Sequence, residues 1–292
     1  MTAALCGSAN VIPLSGRIMG ALVWLASYPK SGNTWIRAFL ANYLSNAAEP
    51  YDIGALTDYT TGESGASLYR RHDPRPAAAY SIDDVQRMRP FVHHDLTLLS
   101  PGPVFVKTHN ALRLLRGVPL LTPAVTGQAI YLLRDPRDVA VSYARHLARP
   151  IDWVIEFMAN EGASGGGDGE KVHELMSSWS IHVRSWTERP NKRLHVIRYE
   201  DMLADPVAAF SGMLRFLGGE PVAERLERAV AHSRFTVLQA QEQASGFAER
   251  PAGADAFFRT GRAGGWREAL TPAQAARIER DHGDVMRQFG YL

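Results

Sequence analysis

The sequence predicts an α/β fold, a single domain with a central parallel sheet flanked by helices. Three observations predict it. Four short apolar runs, Leu22–Ala26, Val104–Lys107, Ala129–Leu133 and Leu194–Arg198, lack polar alternation, as strands covered on both faces do. Helical spacing follows the first and third of these runs, and alternating strands and helices build a sheet with helices on its faces. No internal repeat or Pro/Ser-rich linker divides the 292 residues, a length that buries a large core.

Composition narrows the function. Hydrophobic residues at 46% and charged residues at 21% exclude a disordered chain. Cys6 is the only cysteine, so no disulfide framework exists within the chain. No apolar run approaches the roughly 20 residues that span a bilayer. Lys plus Arg number 32 against 30 acidic residues, a balance of +2 that does not suggest a nucleic-acid binder. Neither nucleic acid nor membrane is therefore expected as a partner. Residues 1–18 have no basic start, and Asn10, Pro13 and Arg17 interrupt any apolar segment, so a secretory signal is not expected and a cytoplasmic location is. Two readings of 1–18 stand, a short real extension or an upstream start codon before Met19; the domain is placed at 19–292.

Ligands in such sheets gather at the carboxyl ends of the strands, so the residues after each run carry the functional argument. The first run leads through Ser27-Tyr28-Pro29-Lys30-Ser31-Gly32-Asn33-Thr34-Trp35 into a helix marked by Ile36, Phe39, Leu40, Tyr43 and Leu44. Strand, glycine-containing loop and helix start make an anion site, to which Lys30 adds a full charge. The loop is close to a Walker A sequence but is not one: Ser27 replaces the first glycine and Asn33 the lysine. The plain alternative is a strand–turn–helix with an exposed lysine. After the second run, Lys107 and His109 stand two apart on extended chain and share a face, a cation beside a titratable base. Taken alone, His109 also fits a structural role. The other histidines show no metal-ligand spacing, and no metal site is expected.

After the third run, Asp135 suits an N-cap, Pro136 the first helical position and Asp138 the third. Arg134 at the strand end and Ser142 two turns on suit a second phosphate, by a bidentate contact and a hydroxyl. The alternative is that both aspartates cap and Arg134 pairs on the surface. Glu161 to Glu170 holds five glycines in ten residues and reads as a mobile loop, expected to act as a gate. The fourth run leads into Tyr199-Glu200-Asp201. A breaker-rich stretch, Ser245 to Gly265, ends in a glycine- and arginine-rich segment suited either to a lid over an anion or to a plain surface loop.

Together these segments resemble the PAPS-dependent sulfotransferases of the cytosolic type. The resemblance runs from about Leu22 to the C-terminus. It implies a P-loop-like nucleotide-binding sulfotransferase fold, with 3′-phosphoadenosine 5′-phosphosulfate (PAPS) as donor and the bisphosphate PAP as product. The acceptor it implies is a hydroxyl or amine of a small molecule. YPKSGNTW at 28–35 is similar to the 5′-phosphosulfate loop, which assigns Lys30, Ser31, Gly32, Asn33, Thr34 and Trp35 to the donor. RDPRDVAVSY at 134–143 is similar to the 3′-phosphate motif, with Arg134 and Ser142 in its binding positions. VKTH at 106–109 resembles the catalytic strand end, which implies His109 as general base with Lys107 and Lys30 as catalytic cations. Tyr199 matches the residue near the adenine, and RTGRAGGW at 259–266 places Arg259, Thr260 and Gly261 at the donor.

This sequence departs from the family pattern where Thr260 replaces a lysine and Gly265 an aspartate. The family's dimer motif falls on Arg267 to Ala276, where Pro272 and Ala276 break it, so a monomer is expected, or a dimer by another route. No metal is required, because lysines suffice for the modest charge of a sulfuryl group. The acceptor pocket is expected from residues 57–100, from His146 to Phe157 and from the two loops; Trp153 and Phe157, four apart, suit either its lining or the core. Two rival functions differ in what they require. A P-loop small-molecule kinase needs GK[ST] and an acidic magnesium ligand in register; a non-catalytic nucleotide-binding protein has no need of Lys30 or His109.

Overall fold

The computed structural model describes residues 20–250 and 254–292; the extension read at 1–18 lies outside the described residues. Five parallel strands form the central sheet: β1 (Leu22–Ser27), β2 (Thr60–Gly62), β3 (Val104–Thr108), β4 (Thr126–Leu133) and β5 (Leu194–Arg198), in the order β2-β3-β1-β4-β5. All four apolar runs are strands. The edge strand β2 was not expected, because Thr-Thr-Gly carries no apolar signal and its identity comes only from pairing with Phe105 to Lys107.

Central β1 explains the missing alternation, since all six of its residues are buried. Leu22, Trp24 and Ala26 point into one core, while Val23 and Leu25 point into another on the opposite face. Each fully buried Val, Leu or Phe contributes about 1.5–3 kcal/mol relative to exposure, so both faces drive the strand inward. One face is covered by α1 (Asn33–Ser45), which follows β1, and by α7 (Pro206–Phe216) and α8 (Ala223–His232) near the end of the chain. Phe39 and Phe210 stack there at 3.9 Å. The other face is covered by α2 (Ile82–Thr97), α3 (Pro136–Leu147), α4 (Ile151–Ala159), α5 (Trp179–Thr187) and α10 (Pro272–Gln288). Between these, α6 (Tyr199–Ala204) follows β5 directly, and α9 (Phe235–Ser245) precedes the C-terminal loop.

Because the strands are parallel, their carboxyl ends share one edge of the sheet. That edge brings together the segments after Ser27, Thr108, Leu133 and Arg198, which are up to 171 residues apart in sequence. Among the described residues no helix is long and apolar enough to cross a membrane.

Candidate active site

A cavity of about 870 Å³ opens at this edge. Its wall includes Lys30, Gly32, Asn33, Thr34, Trp35, Lys107, His109, Arg134, Ser142, Tyr199, Arg259, Thr260 and Gly261. Ser31 alone of the expected residues is absent from the wall; it is buried behind the loop, with no hydrogen-bond partner for its hydroxyl among the described residues.

The loop after β1 takes its shape from two residues with positive φ, Lys30 at 67° and Gly32 at 104°. Only glycine fits at 32, where a Cβ would lie 2.8 Å from the Tyr199 ring. The Asn33 amide donates to the Leu25 carbonyl at 2.8 Å and ties the start of α1 to the strand. Buried polar atoms here that lack partners include the donors Tyr28 Oη, Ser31 Oγ, Trp35 Nε1 and Arg134 Nε and the acceptor Asn33 Oδ1. Orphaned donors beside a helix N-terminus fit an oxyanion-bearing ligand. Lys30 Nζ lies 4.0 Å from the Phe257 ring centre and donates to His146 Nδ1 at 3.5 Å. Burial, then Lys107 and Arg134, lower the Lys30 pKa to about 7.

His109 sits one residue past β3. Its Nδ1 lies 2.8 Å from the Ser27 carbonyl, which can only accept, so Nδ1 carries the hydrogen and Nε2 keeps a free lone pair. Its carbonyl accepts from His182 Nε2 at 3.2 Å, which fixes the backbone. Burial, reinforced by the charge of Lys107, holds the His109 pKa well below the usual 6.5. The residues either side of it, Thr108 and Asn110, both donate to the buried Glu63, which also accepts from Arg89 at 2.6 Å and His93 at 2.9 Å. Burial alone would raise the Glu63 pKa; Arg89 and these hydrogen bonds override it and hold it at about 2.

Arg134 joins the two loops. It donates to the carbonyls of Lys30 and Arg262, both at 3.0 Å, and its guanidinium lies 4.2 Å from the Tyr199 ring centre. Asp135 caps α3 as expected, accepting from the Arg137 amide at 2.9 Å. Asp138 does not cap. It accepts from the amides of Gly264 and Trp266 at 2.6 and 2.9 Å, fastening the loop that carries Arg259 to Gly261. The loop is thus part of the cavity wall and not a plain surface segment.

Several wall residues were not expected. Glu249 pairs with Lys107 at 3.0 Å and also with Arg37. Lys171 and Glu174 come from the far side of the glycine-rich stretch. That stretch is also more ordered than its composition suggests. Ser164–Gly165 pairs with Glu174–Leu175, and the Glu170 carbonyl and Val172 amide bond to Ala66 and Ser64. No local pattern marks these residues, because each acquires its role through a distant partner. Of the segments expected to line the acceptor pocket, His146 and both loops reach the wall, and 57–100 does not, since that segment forms β2 and α2. Trp153 and Phe157 stack on each other at 5.3 Å on α4 and stay outside the wall.

The sulfotransferase domain family model matches residues 21–290. Sulfotransferase 1 family member D1 of Rattus norvegicus is 27% identical over 283 residues, covering 91% of this chain and 83% of its own. Sulfotransferase 1A1 of Canis lupus familiaris is also 27% identical, with 91% and 83% covered. Among solved structures, a retinol dehydratase in complex with androsterone and PAP aligns with a TM-score of 0.64 at 20% identity, covering 95% of this chain and 83% of that one. A mouse sulfotransferase complexed with PAP aligns with a TM-score of 0.58 at 18% identity, covering 95% and 88%. With a cavity built from the loop after β1, the Lys107–His109 strand end and the Arg134 cap, and with that match across nearly its whole described length, this chain belongs to the sulfotransferase domain family and is a PAPS-dependent sulfotransferase.

Proposed function

We propose that the enzyme sulfates a hydroxyl or amine of a small-molecule acceptor with His109 as general base. The observation that carries this reading is the hydrogen bond from His109 Nδ1 to the Ser27 carbonyl, which leaves Nε2 as a lone-pair acceptor in the wall that also holds Lys30 and Lys107. The loop from Lys30 to Trp35 holds the 5′-phosphosulfate; Arg134, Ser142 and Arg259 with Thr260 and Gly261 hold the 3′-phosphate; Tyr199 and Trp35 flank the adenine. In the reaction His109 Nε2 takes the acceptor proton as the acceptor oxygen or nitrogen bonds to sulfur. The bond from sulfur to the bridging phosphate oxygen breaks, and Lys30 offsets the charge left on that oxygen. Lys107 steadies the transferring group once Glu249 yields its place. Remote contacts at the 3′-phosphate align the reacting atoms. These cations belong to the chain, so the reading includes no metal, and it places the enzyme in the cytoplasm, in keeping with its single cysteine.

Calorimetry tests the donor half. Arg134→Ala is expected to weaken PAP binding by about 2 kcal/mol, the scale of a charge-assisted hydrogen bond. Equal affinity would remove Arg134 from the donor site. Thermal shift by PAP but not by ATP with magnesium separates this reading from a kinase.

A further inference from the structure

Most buried acidic side chains around the cavity have strong partners, and Glu174 does not. Glu63 accepts from four side chains, Asp138 from two amides, Glu242 from the amides of Phe257 and Phe258, and Glu249 pairs with Lys107 and Arg37. Glu174 is only 8% exposed and lies in the cavity wall. The single hydrogen bond of its carboxylate among the described residues comes from the His109 amide, at a long 3.4 Å, and no cation lies within ion-pair distance. A carboxylate has about four acceptor sites, and leaving them unmet when buried is costly. The residue it touches is the proposed base itself, and both line the same cavity.

We propose that Glu174 is a specificity-determining residue of the acceptor site, receiving a second hydrogen-bond donor that the acceptor carries beside the group to be sulfated. That donor is a hydroxyl or an ammonium. The inference rests on the reading of His109 as the base. It sets the preferred acceptors apart from a molecule with one isolated hydroxyl. Such a molecule would leave this cavity-lining carboxylate without a donor from the acceptor, and sites built to pair a substrate group discriminate strongly against analogues that lack it. Burial and the charge of Glu63 raise the Glu174 pKa while Lys107 and Lys171 oppose them, so the group is poised to respond to what the acceptor brings.

The test uses labelled PAPS and matched acceptors: phenol with catechol, and cyclohexanol with cis-1,2-cyclohexanediol and 2-aminocyclohexanol. Wild-type kcat/KM is expected to favour the members with a second donor by about 10- to 100-fold, the worth of one or two hydrogen bonds to a charged group. Glu174→Leu is expected to erase that preference by lowering only those members. Glu174→Gln, nearly isosteric, keeps a hydroxyl preference but loses an ammonium preference, which identifies the donor. The proposal fails if the wild type shows no preference, if no second-donor acceptor is turned over, or if Glu174→Gln and Glu174→Leu slow every acceptor equally, which would mark a purely structural hold on the His109 amide. PAP affinity is measured beside each variant; loss of PAP binding in the wild type would overturn the donor assignment instead.

Discussion

His109 owes its chemistry to one bond and one charge. The bond to Ser27 fixes the tautomer, and burial with Lys107 depresses the pKa. A histidine near its ordinary 6.5 would lose half its basic form at that pH. Here the free imidazole stays neutral well below it, so kcat/KM for the acceptor, measured with the donor saturating, is expected to stay level from pH 7.5 down to 6 and to fall only in more acidic buffer. A half-point at 6.5 would contradict the burial argument. His109→Ala is expected to cost about 10²–10⁴ in turnover with PAP affinity little changed. Near-normal turnover per folded molecule with a lowered Tm would leave the residue a packing role. Lys30 predicts a proton effect. With its pKa at about 7, part of the population is neutral near pH 7.5. An arriving anion favours the charged form, so PAP binding is expected to take up protons and to weaken as pH rises above 7. Calorimetry in buffers of different ionisation enthalpy reads this directly, and an uptake of zero would sink it.

Two loops behave as elements with defined anchors. Asp138 holds the C-terminal loop by two backbone amides, each such bond to a charged group contributing about 1.5–3 kcal/mol. Asp138→Ala is expected to weaken PAP binding about tenfold and to speed proteolysis between 255 and 265. Unchanged cleavage would show that other contacts hold the loop. In the glycine-rich stretch the need for glycine is geometric: Gly166 has φ of 75°, and a Cβ there would lie 2.1 Å from the Val172 carbonyl oxygen. Gly166→Ala is expected to displace the ribbon bearing Glu174 and so change acceptor kinetics, while PAP affinity holds. A matching loss of PAP affinity would move this segment to the donor side.

At the scale of the molecule, the network around Glu63 ties the carboxyl end of β3 to α2, since Arg89 and His93 come from that helix. Glu63 and Arg89 are both fully buried, and breaking such a pair costs about 3–5 kcal/mol because the surviving charge is left uncompensated. Glu63→Gln is expected to lower unfolding stability on that scale, read by urea melts at neutral pH. The sign follows from the depressed pKa. The contribution is complete above the unfolded carboxyl's ordinary 4.5 and is lost as pH falls toward about 2, so the variant and wild type should converge in that window. A stability difference that persists undiminished at pH 2 would point to packing instead of charge.

The sequence by itself determined the four long strands, the loop after β1, the helix starting at Pro136 and the residues at each strand end. Each is written in a local stretch, as an apolar run, a turn with its glycine, or a cap followed by proline. Strands covered on both faces have no other way to read than as continuous apolar segments, which is why Leu22–Ser27 was legible and Thr60–Gly62 was not. Tertiary structure alone decided what joins these segments. Asp138 reads as a cap in its own helix, yet its partners lie more than 120 residues away. Glu249 and Glu174 carry no local signal; one is placed by Arg37 and Lys107, the other by the ribbon it shares with Gly165. One segment expected on the acceptor side, 57–100, was misplaced for the same reason, while His146 and the two loops do line the cavity. Residues 57–100 are spent on an edge strand and a packed helix, so the wall is left to the loops brought over the sheet edge. Donor chemistry is carried by strand-end loops of fixed local shape and is read from neighbours in the chain, whereas acceptor chemistry is carried by contacts between loops and exists only once the chain has closed.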